Sequence, residues 1–106
     1  MPAEVKRYVA MLESVESDNQ IEAARRIYRK RLKHPAIFDT AARQLQEGYR
    51  VNLADTAHID AMAWMCNLLG MSGESGYRSL LDKVVRETPN RKIRNYASKS
   101  IRRLNR

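Results

Sequence analysis

Residues 56–104 read TAHIDAMAWMCNLLGMSGESGYRSLLDKVVRETPNRKIRNYASKSIRRL, and this stretch decides the fold. Its apolar residues recur at spacings of three and four in three segments, Ile59–Leu69, Gly76–Glu87 and Arg91–Leu104. That spacing lines one side of an α-helix. The first and third segments resemble each other at an offset of roughly 35 residues, a period typical of stacked helix-pair repeats. Each unit of such a stack buries its apolar face only against its neighbours, and the stacks usually serve as binding scaffolds rather than enzymes.

The helix expected at Ala57–Leu69 is apolar almost all round, from Ile59 through Met62, Trp64, Met65 and Cys66 to Leu69. A helix apolar on every side must be covered on more than one side, which places this one at the centre. Asp55 or Thr56 is expected to cap its start, and Gly70 to end it in a left-handed conformation. Met71–Ser75 then reads as a flexible turn before Gly76–Glu87, whose inward residues are Tyr77, Leu80, Leu81, Val84 and Val85.

Towards the N-terminus the same spacing predicts three further helices. Ala3–Ser14 follows Pro2, a residue suited to a helix start, and carries Val5, Tyr8, Val9 and Leu12 on one face. Gln20–Lys33 places Ile21, Ala24, Ile27, Tyr28 and Leu32 inward, with Asp18 or Asn19 as its cap. It is expected to stop at Lys33 because the residue before Pro35 is pushed out of the helical region. Ala36–Arg50 has the stripe Ile37, Phe38, Ala41, Ala42, Leu45 and Tyr49. No useful length alternates with period two, so the class is all-α.

A length of 106 residues fits one domain, and 43% hydrophobic with 30% charged residues fits a folded chain. The single Cys66 has no partner for an internal disulfide and sits in an apolar run, which points to a reducing compartment. No apolar run is long enough for a membrane span, and charged residues interrupt the N-terminal segment where a signal peptide needs an apolar core. The expectation is a cytoplasmic protein. Twenty Lys plus Arg against twelve Asp plus Glu give a net charge of +8, which favours an acidic partner of some kind.

Within the deciding stretch, Asp60-Ala61-Met62-Ala63 through Leu68-Leu69-Gly70, then Tyr77-Arg78-Ser79-Leu80-Leu81-Asp82-Lys83-Val84, then Lys92-Ile93-Arg94-Asn95-Tyr96-Ala97 resemble HEAT-like repeats of the phycobilisome-lyase type. In that resemblance the first segment is the opening helix of a repeat, the second its partner, and the third opens the next repeat. The helices at 20–33 and 36–50 form a looser earlier pair. The resemblance implies a short right-handed stack of antiparallel helix pairs, an α-solenoid fragment whose faces engage partners, most often proteins. Some relatives of this architecture act on DNA through a basic concave surface.

Two clusters carry the charge. Arg25 to Lys33 holds six basic residues in nine. On a helix Arg25, Arg29 and Lys33 share one side and Arg26 and Lys30 another, an arrangement of like charges that costs roughly 0.2–0.5 kcal/mol per pair. A chain gains no stability from such clustering, so an anionic partner is one reading. The bland one is a solvated face with Glu22 pairing to Arg25 or Arg26. The second cluster runs from Arg86 to Arg106 with Glu87 its only acid, and puts Lys99, Arg102, Arg103 and Arg106 on one outward face. Cations in a last helical turn also complement the helix dipole, so part of this cluster needs no ligand. If the two clusters share a side, they form a stripe able to follow a phosphate backbone.

No constellation for catalysis or metal binding stands out. His34 and His58 have no neighbouring ligands at short spacing, and Cys66 lies among apolar residues that make a thiol inert. Met62, Met65, Met71 and Trp64 are expected to be core packing, the other reading being an adaptable groove. The sequence therefore predicts a non-catalytic protein–protein interaction module without cofactor or metal. Its candidate partner-binding residues are Arg25, Arg29, Lys33, Lys99, Arg102 and Arg103. Nucleic-acid binding through the same residues is the alternative, and self-association is a third possibility for a short stack with two open ends.

Overall fold

The computed structural model describes residues 1–106 and contains six α-helices and no strand. They are α1 (Ala3–Leu12), α2 (Ser17–Lys30), α3 (Pro35–Gly48), α4 (Thr56–Ser72), α5 (Arg78–Glu87) and α6 (Arg91–Leu104). A single 3-10 turn, Ser75–Tyr77, leads into α5. No helix is long and apolar enough to cross a membrane.

The helices pack as the pairs α1/α2, α3/α4 and α5/α6. The pairs stack so that α1, α3 and α5 form one layer and α2, α4 and α6 the other. A shortest dimension of 19 Å fits two helices packed one on another. The central position of α4 holds: it packs on α2, α3 and α6 at once. The pairing, however, is one helix out of step with the resemblance, which makes α5 the partner of α4. These two consecutive helices hardly touch. α5 packs instead on α6, and its Leu81 and Val84 are buried in the same core as Ile93 and Ala97 of α6.

One core of 22 buried residues runs through all three pairs. Burying a Leu, Ile or Met side chain contributes about 1.5–3 kcal/mol, so the large residues of α3 and α4 carry much of the stability. Every buried side-chain nitrogen and oxygen has a hydrogen-bond partner. Gln20 donates to the carbonyl of Leu12 and to Gln44, tying three helices together.

Several helix ends differ from expectation, each for a local reason. α1 stops at Leu12, two residues short of Ser14, and the hydroxyl of Ser14 accepts the Glu16 N–H ahead of α2. α2 therefore begins at Ser17, without a side-chain cap from Asp18 or Asn19. It ends at Lys30 rather than Lys33, because Arg31 turns left-handed with φ 54°. The N–H of Arg31 then bonds the Tyr28 carbonyl and that of Leu32 the Ile27 carbonyl, while Leu32 packs on the core. This Schellman closure is usually marked by glycine, so arginine there hides it from a sequence reading. α4 runs through Gly70 to Ser72, and Gly73, with φ 72°, is the left-handed residue. Asp55 caps α4 as expected, accepting from the N–H groups of Ala57 and His58.

Candidate functional site

α2 divides its basic residues between two flanks. On the flank towards α1, Arg26 pairs with Glu22 at 2.8 Å and Lys30 with Glu4 at 3.1 Å. Lys30 also holds the Tyr8 phenol below its ordinary range by hydrogen bonding, and is itself raised in return. The solvated-face reading is thus satisfied for Arg26 and not for Arg25. On the other flank, Arg25 and Arg29 are exposed and reach no carboxylate.

That free flank faces the outer side of α4. Asp60, Ala63, Trp64 and Asn67 stand there at successive helical spacings, beside Ile21 and Arg25 of α2 and Lys92 and Tyr96 of α6. Together they line a groove with a cavity of about 390 Å³. A second cavity, about 510 Å³, continues it across α6 past Asn95, Lys99 and Arg102, sharing Lys92 and Tyr96. Trp64 is half-buried, and its ring meets that of Tyr28 edge-on at 5.8 Å. Met62, Met65 and Met71 are buried core, as expected, so only Trp64 of that set turns to the groove.

α6 meets this face through Lys92, Tyr96, Lys99 and Arg103, which share one side of the helix. Lys92 donates to Asp60 across the groove at 2.6 Å, and this bond raises its pKa. Lys99 sits over the Tyr96 ring at 5.1 Å. Arg103 reaches from α6 to the Tyr28 hydroxyl of α2 at 2.8 Å. That last bond joins the two basic clusters on one face. From Thr88 to Arg106 there is no acidic residue, and Asp60 is the one carboxylate lining the groove.

Of the six candidate residues, Arg25, Lys99 and Arg102 line the two cavities, and Arg29 lies one turn beyond Arg25 on the same helix. Arg103 is half-buried in its bond to Tyr28 rather than freely outward. Lys33 does not share the α2 side of Arg25 and Arg29 that the spacing predicts, because the helix ends at Lys30. It lies past the end of α2 and lines a separate cavity of about 530 Å³ with His34, Phe38 and Tyr77. There the Tyr77 hydroxyl donates to Asp39 at 2.6 Å, and burial with this carboxylate pushes the phenol up.

The spacing places Tyr28 inward and Trp64 in the core, and it does not bring Lys92 to Asp60. The signal for Asp60, Ala63, Trp64 and Asn67 was their spacing along α4, which an all-round apolar helix masks. His34 caps α3 by accepting the Ala36 N–H, and His58 donates to the Gly48 carbonyl. Cys66 is fully buried, and burial pushes its thiol up to about 12. Compared with family models, curated proteins and solved structures, the chain matches none, so this face is read from its own residues.

Proposed function

We propose that this protein is a non-catalytic, HEAT-like interaction module that docks a partner protein on the basic face formed by α2, α4 and α6. One observation carries the reading: Arg25, which has no carboxylate partner, lines the groove beside Trp64 and the unpaired Lys99 and Arg102 line the adjoining cavity on α6, while Arg26 and Lys30 on the other flank of α2 are neutralised within the fold. Gathering like charges lowers stability, and a partner of opposite charge offsets that loss. An aromatic and arginine-rich centre is also the composition of energetic interface residues. The buried unpaired thiol of Cys66 fits a cytoplasmic setting.

Nucleic acid is the second reading, favoured by the Arg103–Tyr28 bond that joins the clusters into one basic surface. Fluorescence anisotropy of labelled single- and double-stranded oligonucleotides across a salt series separates the two. A protein partner predicts weak oligonucleotide binding at physiological salt. Its recovery in a pull-down is lost in Arg25→Glu/Lys99→Glu and kept in Lys6→Glu/Arg7→Glu, a control pair on α1. Tight oligonucleotide binding with a steep salt slope, lost in the same double variant, moves nucleic acid to first place. Retention of the partner by Arg25→Glu/Lys99→Glu overturns the protein reading, and retention of oligonucleotide binding by the same variant overturns the second.

A further inference from the structure

We infer that the groove between α2, α4 and α6 takes an acidic amphipathic helix, with its apolar stripe on Trp64 and its carboxylates on the cations of the two walls. The inference rests on the proposal that this face is the docking surface, and it names the chemistry of the occupant.

The groove has an apolar floor and charged walls. Ile21, Ala63, Trp64 and Tyr96 form the floor. Arg25 stands on the α2 side with Arg29 one turn further along the helix, Lys99 and Arg102 line the adjoining cavity on α6, and no salt bridge engages any of the four. On α4 its lining runs from Asp60 to Asn67, two helical turns or roughly 10 Å at about 1.5 Å per residue. An incoming helix sets about two of its turns there, presents one apolar stripe and carries charges on both sides of it.

The walls are held in place before a partner arrives. Lys99 lies over Tyr96, and Arg103 is fixed by the Tyr28 hydroxyl. Lys92 is spent on Asp60, so this pair braces α4 against α6 rather than meeting the ligand. Side chains already ordered lose less freedom on binding.

A phosphate backbone uses such a surface less well. It has no apolar stripe to lay on Trp64. Single-stranded bases bind by stacking on open ring faces. Here Tyr28 meets Trp64 edge-on and Tyr96 already carries Lys99. Charge alone is satisfied by nucleic acid; charge flanking an apolar floor is satisfied by an acidic helix.

The test uses the intact protein and a fluorescein-labelled peptide of about 16 residues, with Leu and Phe at i, i+3, i+4 and i+7 and Glu elsewhere. A scrambled peptide of the same composition and a duplex oligonucleotide serve as comparators. Trp64 is the only tryptophan, so its emission reports the groove alone. The expected result is binding at least about tenfold tighter for the patterned peptide than for the scrambled one, with a blue shift of Trp64 emission. Arg25→Glu/Lys99→Glu is expected to lose about tenfold or more with an unchanged far-ultraviolet spectrum. Trp64→Phe is expected to narrow the gap between patterned and scrambled peptides.

Equal binding of both peptides, preference for the duplex, an unmoved Trp64 emission, or no binding of any probe overturns the inference. If both peptides bind equally and both are lost on charge reversal, the occupant is wrong while the docking face stands. If charge reversal leaves peptide binding unchanged, the face itself is wrong.

Discussion

Gly70 sits where α4 and α6 come closest, and a Cβ added there would meet the Cα of Ser100 at 3.0 Å and its Cβ at 2.9 Å. Ser100 is buried at this crossing and donates from its hydroxyl to the Cys66 carbonyl at 2.6 Å. Because the obstacle is backbone, a side chain cannot simply rotate away. Gly70→Ala is therefore expected to lower stability by about 1–3 kcal/mol despite the better helix propensity of alanine. Gly76 has open space around it, so Gly76→Ala should stay within about 0.5 kcal/mol of the parent when both variants are unfolded in urea. Equal effects at the two positions would refute the close-packing account of Gly70. The sequence places a helix terminus at Gly70, because a glycine late in an apolar run looks the same whether it ends a helix or admits a neighbour.

At the scale of the element, α2 and the α3–α5 contact each carry a prediction. Arg31 closes α2 in a left-handed conformation that costs a non-glycine residue roughly 1–2 kcal/mol. Arg31→Gly should relieve most of this and raise stability by about 0.5–1 kcal/mol, read by chemical denaturation. At the far end of α3, the Tyr49 hydroxyl donates to Glu87 at 2.6 Å, and Thr88 donates to the Tyr49 carbonyl. The Tyr49 bond, with Lys83, Arg50 and Arg86 nearby, holds the Glu87 carboxyl below its ordinary range. A depressed carboxylate adds stability above its unfolded pKa and loses it as pH falls through the folded value. Tyr49→Phe should thus melt earlier than the parent at neutral pH. The gap should shrink once pH drops through and below the usual glutamate value of about 4.3. A gap that stays constant to pH 2 would assign the loss to packing instead. None of this was visible along the chain, since Tyr49 and Glu87 are brought together only by the packing of the C-terminal end of α3 against α5.

For the molecule as a whole, a net charge of +8 with unpaired cations gathered on one face predicts that added salt stabilises the fold. Between about 0.02 and 0.5 M sodium chloride, screening of this repulsion should raise Tm by about 2 °C or more. The double variant Arg25→Gln/Arg29→Gln should show a smaller rise, measured by circular dichroism, because it removes two of the repelling charges and keeps good helix formers. An equal rise in both proteins would mean that the face stores no repulsion. The chain by itself determined the all-helical class, six helices, the bounds of α6 and the central place of α4. These follow from apolar spacing and polar breaks, which are properties of neighbours along the chain. Which helices pair, that Arg103 of α6 meets Tyr28 of α2, and that Trp64 lines a groove between Arg25 of α2 and Lys92 of α6 were decided only by the tertiary structure. Periodicity defines the faces of a helix, whereas the rotation of each helix about its axis is set by what the others leave uncovered.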